Sequence, residues 1–250
     1  MRFIGIIPAR YNSSRFPGKP LAIINNKSMI ARVYEQASKA NCLSKVVVAT
    51  DDERIKIHLQ NNNINYVLTS ANHPTGTDRC FEAVTQIIKS ENSNYDVAIN
   101  IQGDHPYIDP SDIDLLAYCF IKNPQTEIAT LIKTIDNENE LHNPNTVKVI
   151  TDINNKALYF SRSVIPYLRD IDKKYWFNNF KYFKHLGIYA FKTDILKKII
   201  SLKPSTLEKA ESLEQLRWLQ NDFSIYTVIT NNECFAVDTP EDIQKLSHLH

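Results

Sequence analysis

Glycine is scarce: the chain holds five in 250 residues, at positions 5, 18, 76, 103 and 187. No GxGxxG run occurs, and Gly18-Lys19 is followed by Pro20 with Ser13 five positions before Gly18. Neither the dinucleotide fingerprint nor a Walker loop is therefore present. The four cysteines, Cys42, Cys80, Cys119 and Cys234, form no CxxC pair and no zinc-finger spacing with histidine; they read as reduced, mostly buried thiols. No apolar stretch approaches the ~20 residues of a membrane span. The N-terminal apolar run from Phe3 breaks at Pro8-Ala9-Arg10, too early for a signal peptide. A cytoplasmic location is expected. An excess of either charge is also missing. A net charge of +1 excludes bulk binding of nucleic acid or anionic membrane, so any basic cluster is local and aimed at something small.

What is present alternates. Phe3–Ile7 reads as a buried strand, Ser28–Ala40 as a helix with Met29, Ile30, Val33 and Ala37 on one face, and "VVVAT" as a second strand. Asp51-Asp52 can cap the helix behind it. "INYVL", a helix starting at Thr77-Asp78, the strand "DVAINI" and a helix opened by Pro110-Ser111 continue the pattern. Such βαβ units predict an α/β fold with a mainly parallel sheet and helices on both faces. In the second half "IATLIKTI", "VKVI", "ALYFS" and "HLGIYAF" crowd together with fewer helices, which predicts a mixed-sheet extension. "TLEKAESLEQLRWLQ" reads as one strong helix. Thr239-Pro240 starts the last one. With no linker, repeat or low-complexity tract, residues 1–250 read as a single domain with two halves, 1–125 and 126–250.

The chemistry concentrates in loops. Arg10, Arg15 and Lys19 follow the first strand, where ligands bind in open α/β sheets. Three cations among backbone donors suit a triphosphate, each worth roughly 4 kcal/mol at 4 Å and an effective dielectric near 20. Taken alone, the loop is as readily a solvated basic surface. Gly18, Gly76 and Gly103 all fall in polar loops after strands, where backbone turns sharply or approaches a ligand. Asp104 follows the strand "DVAINI" at the same sheet edge, and Asp238 follows another apolar run. Carboxylates beside phosphates hold Mg²⁺. Asp238 is equally placed simply to precede the Thr239 cap.

"IIPARYNSSRFPGKPL", "VATDD", "HPTGTDR", "NIQGD", "NPNTVKV", "ALYFSRSVIP", "HLGIYAF", "LEQLRWL" and "VDTPED", in this order, resemble the 3-deoxy-D-manno-octulosonate cytidylyltransferases, or CMP-Kdo synthetases. The resemblance implies a Rossmann-like nucleotide-diphospho-sugar transferase fold, CTP and Kdo as substrates, Mg²⁺, a homodimer, and a place in lipopolysaccharide biosynthesis. It implies that Arg10, Arg15, Lys19 and Asp104 form the catalytic set. Arg10, Arg15 and Lys19 would bind CTP together with Gly76, Thr77 and Arg79, and Asp104 and Asp238 would carry the metal. It also implies that Gln102, Arg162, His185, Tyr189, Glu214 and Gln215 line the sugar-acid pocket. By themselves, His185 reads as a core histidine, Arg162 as a partner of some surface acid, and His185 and Tyr189 as sharing one strand face. One departure stands out: the family motif Gln-Gly-Asp-Glu-Pro has histidine, His105, in place of its glutamate. This removes one negative charge from the metal edge.

Rival readings are a cytidylyltransferase for an amino-substituted Kdo or a sialic acid, and a nucleotide-binding module without turnover; two metal carboxylates weigh against the last. Replacing Arg15 or Lys19 by alanine is expected to weaken CTP use far more than sugar use. The loss is up to ~3–4 kcal/mol, roughly two or more decades in kcat/KM. Steady-state kinetics with CTP varied check this, and unchanged constants would return the loop to plain surface.

Overall fold

The computed structural model describes residues 1–12 and 16–246, the Lys245 side chain excepted; Arg15 lies outside them. The chain opens with β1 (Phe3–Ala9), buried along almost its whole length, as a strand covered on both faces must be. A hairpin of β2 (Ile23–Ile24) and β3 (Lys27–Ser28) follows. Its two-residue loop, Asn25-Asn26, adopts φ of 44° and 67°, and asparagine tolerates this left-handed region well. Ser28 then caps α1 (Met29–Ala37) by accepting the Ala31 N–H. The chain continues through β4 (Leu43–Thr50), α2 (Glu53–Asn61) capped by Asp52, β5 (Tyr66–Leu68), α3 (Gly76–Glu91) capped by Thr75, β6 (Val97–Asn100) and α4 (Pro110–Lys122). β1 pairs in parallel with both β4 and β6, and β5 adds in parallel to β4. The parallel α/β class read from the alternating pattern is borne out.

Next come β7 (Ile128–Thr134), α5 (Glu138–His142), β8 (Lys148–Thr151), β9 (Ala157–Ser161), α6 (Trp176–Asn179) and β10 (Phe183–Lys192). β8 pairs antiparallel with both β9 and β10, which is the predicted mixed sheet. Ile135, Leu141, Trp176 and Tyr182 form a core cluster there. The chain ends with α7 (Thr193–Ile199), α8 (Thr206–Glu211), α9 (Gln215–Leu219), β11 (Ile225–Ile229) and α10 (Pro240–Leu246). β11 pairs in parallel with β7. Two compact units result. One comprises Met1–Tyr118, Ala190–Ile200 and Asn232–His250, the other Cys119–Tyr189 and Ser201–Asn231. None of the described helices is long and apolar enough to cross a membrane.

Three expectations need correction. The second half is not poor in helices; it has several, all short, and too brief for a clear 3.6-residue apolar period. β11 and α7 went unforeseen. "TLEKAESLEQLRWLQ" is not one helix. It breaks at Ser212, whose φ is 51°. Arg217 explains the break: its Nε and Nη2 donate to both carboxylate oxygens of Glu208 at 2.8 and 2.6 Å. Nine residues along a straight helix would separate them by about 13 Å, so this bidentate pair exists only because the chain turns back.

Gly103 is where the loop after β6 meets the end of β1. A Cβ there would lie 2.7 Å from the Pro8 carbonyl oxygen, a backbone atom that cannot swing aside. Gly103→Ala is expected to cost about 1–3 kcal/mol, a fall in Tm of roughly 2–10 °C, measurable by thermal unfolding.

Candidate functional site

β1 and β6 are parallel neighbours, so the loops that leave their C-terminal ends share one edge of the sheet. Lys19 comes from the first loop and Asp104 from the second. Gly18 takes φ +75° and donates its N–H to the Tyr11 carbonyl at 2.8 Å; this bend turns Lys19 inward. The Lys19 ammonium then donates to Asp104 Oδ2 at 2.7 Å and to the Val237 carbonyl at 2.8 Å, and lies 4.0 Å from Asp238 Oδ1. Three stretches distant in sequence thus meet on one cation. The Val237 N–H donates to the Asp104 carbonyl at 2.9 Å, which secures the segment carrying Asp238. Asp238 also precedes the α10 cap, where Asp242 accepts the N–H groups of Asp238 and Thr239.

The remaining nucleotide-side residues lie in the same unit. Arg10 Nη2 donates to the His73 carbonyl at 2.5 Å, and the His73 imidazole bonds Glu82. Burial raises the Glu82 pKa, but bonds from Ser70, His73 and Gln86 outweigh it and hold the carboxyl below its usual range. Gly76 and Thr77 open α3, so Gly76 is a helix residue and not a loop one. Arg79 has no exposed surface. Its Nη1 donates to Thr69 at 2.6 Å and its Nη2 lies 3.1 Å from Asp51, which ties α3 to the ends of β4 and β5. Arg79 Nε and Asn100 Oδ1 are buried without hydrogen-bond partners. Gln102 is half-buried and accepts the His105 N–H through its carbonyl at 3.3 Å. His105 is itself buried, with Nδ1 2.8 Å from Cys234 Sγ. Burial lowers its pKa more than neighbouring Asp104 raises it, so the ring is neutral.

The other unit gathers Arg162, His185, Tyr189, Glu214 and Gln215. Arg162 meets the Glu211 carboxylate through its backbone N–H, which donates to Oε2 at 2.9 Å, and not through its guanidinium. Its guanidinium donates to the carbonyls of Glu211, Pro144 and Ser212 at 2.7, 3.1 and 3.4 Å. Three of its five N–H groups are used this way, which leaves two for a ligand. His185 and Tyr189 rings lie 5.0 Å apart. Sharing a strand face would not achieve this, since four extended residues span about 13 Å. Gly187 between them takes φ +77° and kinks β10. Thr130 Oγ1 donates to the Ile188 carbonyl at 2.6 Å and lies 2.9 Å from His185 Nε2. The Gly187 N–H also donates to His185 Nε2, at 3.3 Å. Burial pushes the His185 pKa down to about 3. Tyr189 packs edge-on against Trp218, and burial together with the nearby Glu214 charge raises its pKa. Glu214 lies 3.9 Å from Arg217. Gln215 is 4% exposed, and its Nε2 has no hydrogen-bond partner; leaving such a donor unmet costs about 1–3 kcal/mol.

Sequence reading missed Glu211, Thr130, Trp218, Cys234 and the Asp51–Thr69 pair. Each works through a contact distant in sequence, and none falls at a spacing that marks it. Thr130, Glu211 and Trp218 stood inside quoted stretches and Cys234 among the counted thiols, but only as parts of elements; Asp51 was read as a helix cap, and Asp52 is the residue that caps α2.

Comparison with known proteins defines the class first: residues 4–226 match the family model of cytidylyltransferases. The 3-deoxy-manno-octulosonate cytidylyltransferase of Cytophaga hutchinsonii is 51% identical over 98% of this chain and 96% of its own length. That of Bacteroides thetaiotaomicron is 48% identical over 98% and 96%. A solved structure of CMP:2-keto-3-deoxy-manno-octonic acid synthetase complexed with CTP superposes with a TM-score of 0.90 at 39% identity, covering 100% of this chain and 98% of that one. The chain belongs to the 3-deoxy-manno-octulosonate cytidylyltransferase family.

The neutral, buried His185 has a measurable consequence. Its pKa is near 6.5 unfolded and about 3 folded, so between those values the unfolded state binds more protons and stability falls as pH falls. Relative to His185→Gln, the wild type should lose up to about 2 kcal/mol by pH 5. The part of the ring still accessible to solvent reduces this. Denaturant unfolding at pH 7 and pH 5 checks it; equal losses in both proteins would contradict a neutral buried imidazole.

Proposed function

We propose that this chain activates the sugar acid Kdo with CTP, giving CMP-Kdo and pyrophosphate, and that it does so in the cytoplasm as a homodimer serving lipopolysaccharide synthesis. The observation that carries this reading is the Lys19–Asp104–Asp238 junction at the carboxyl ends of β1 and β6. The anomeric hydroxyl of the sugar acid attacks the α-phosphorus of CTP, the bond to the β-phosphate breaks, and pyrophosphate leaves. Such transfers need positioning and neutralisation of charge more than covalent catalysis. Lys19, with Arg10 and Arg15 from the same loop, meets triphosphate charge. The first turn of α3, Gly76 and Thr77, offers backbone donors toward the nucleotide. Arg79, having no exposed surface, acts by holding α3 against the ends of β4 and β5.

Asp104 and Asp238 fit Mg²⁺. Two carboxylates already gather around one cation. This suits an ion that takes one or two carboxylates and fills its other positions with phosphate oxygens and water. Bound there, Mg²⁺ would neutralise charge on the triphosphate oxygens. On the sugar side, the two spare N–H groups of Arg162 suit a carboxylate. The unmet Gln215 amide, with His185, Tyr189 and Glu214, suits a ring rich in hydroxyls. Buried polar groups of this kind reject a ligand that leaves them unpaired.

Pyrophosphate release with CTP, Mg²⁺ and a panel of Kdo, amino-substituted Kdo and N-acetylneuraminic acid tests the proposal. Kdo should be strongly preferred over N-acetylneuraminic acid, and equal rates would sink the substrate assignment. Asp104→Asn should lower kcat by at least two decades, since it removes several kcal/mol of transition-state charge stabilisation, while thermal unfolding stays nearly unchanged. Near-normal turnover of that variant at low Mg²⁺ would remove Asp104 from the metal site.

A further inference from the structure

His105 occupies the place of a motif glutamate, yet it points away from any role as a charged ligand. It is 7% exposed, its Nδ1 lies 2.8 Å from Cys234 Sγ, and its Nε2 lies 3.8 Å from Asp104 Oδ1. The Cys234 thiol and the imidazole Nδ1 thus meet at hydrogen-bond distance, while Nε2 faces the Asp104 carboxylate. Cys234 lies on residues 230–239, an irregular stretch between β11 and α10. Such a stretch takes its position from the bonds that hold it. At its start Asn232 Nδ2 donates to Asp112 Oδ1 at 3.0 Å and Ser111 Oγ at 3.1 Å. At its end the Val237 N–H meets the Asp104 carbonyl, and the Val237 carbonyl meets Lys19. The Cys234–His105 bond falls between these two anchorages, directly beside the carboxylates.

We infer that His105 and Cys234 form a positioning pair, in which the thiol–imidazole bond seats the segment Cys234–Asp238 against the loop after β6 and so sets where Asp238 stands relative to Asp104. Exchange of glutamate for histidine here replaces a charge by a tether. Reversing it has the opposite effect from simple charge counting. A carboxylate at position 105 would be buried beside Asp104 with no imidazole for the thiol, so His105→Glu loosens the cation edge. The importance of the pair for turnover rests on the cytidylyltransferase reading; its structural role does not.

Backbone amide exchange of the full ligand-free chain in metal-free buffer separates the two. The Val237 amide should exchange roughly five- to tenfold faster in Cys234→Ala and in His105→Leu, the worth of one buried hydrogen bond. The double variant should be no faster than the faster single, because either change already breaks the bond. Cys234→Ser, whose hydroxyl can still donate, should recover part of the protection. Val48, in the middle of β4, should exchange as in the wild type and reports that the fold is intact. In the same variants the Mg²⁺ concentration for half-maximal pyrophosphate release should rise severalfold, and His105→Glu should raise it too. Wild-type exchange at Val237 in Cys234→Ala, or two single effects that simply add in the double variant, would overturn the pair. A wild type that releases no pyrophosphate yet shows the exchange pattern would overturn only the reading of function. Cys234→Ala is a small change at a half-buried site, so the test stands even if His105→Leu fails to fold.

Discussion

One ammonium group organises this molecule's chemistry. Lys19 is held by the Asp104 carboxylate and the Val237 carbonyl, with Asp238 close by. These groups lie 85 and 218 residues away along the chain. Each has an architectural cause. β1 and β6 are adjacent and parallel, so their outgoing loops meet. Gly18 bends left-handed to aim Lys19, and Gly103 brings the second loop against Pro8. The final segment is drawn in by the Val237–Asp104 backbone bond. Without the lysine, two carboxylates would stand together in a half-buried place and repel. With it, one of the two negative charges is offset.

The second unit is organised by packed polar groups. Its polar residues are tied to carbonyls and rings. Arg162 is braced by three carbonyls, His185 is clamped between Phe160, Tyr189 and Thr130, and Gln215 is buried with an unmet donor. Such bracing fixes side-chain directions before any ligand arrives and lowers the entropy lost on binding. The left-handed Gly187 and the left-handed Ser212 produce this arrangement. One brings two ring systems of a single strand together. The other lets Arg217 reach back to Glu208.

Much was legible in the chain. Strand–helix alternation identified the parallel α/β class because its buried strands are apolar almost throughout; the cap at Asp51-Asp52 was legible, whereas the helix read from Thr77-Asp78 starts at Gly76 and is capped by Thr75. The loops of interest stood out as polar, glycine-bearing stretches after strands. Hidden from view were partners defined by contact alone, such as Glu211, which accepts the Arg162 backbone N–H from 49 residues away. The histidine at position 105 was visible as a missing charge, but its thiol partner was not, since Cys234 lies 129 residues further on.

By itself, then, the sequence determined the fold class, the family motifs and the cations and carboxylates available to the chemistry, because these depend on local pattern and residue type. Tertiary structure alone decided which of them meet. It put Lys19 between two acids, sank Arg79 into a strut beneath α3, and turned His105 from a charge into a tether. Those outcomes depend on strand adjacency and on left-handed turns at single residues, which place groups far apart in the chain within 3–4 Å of one another, and no spacing in the sequence records them.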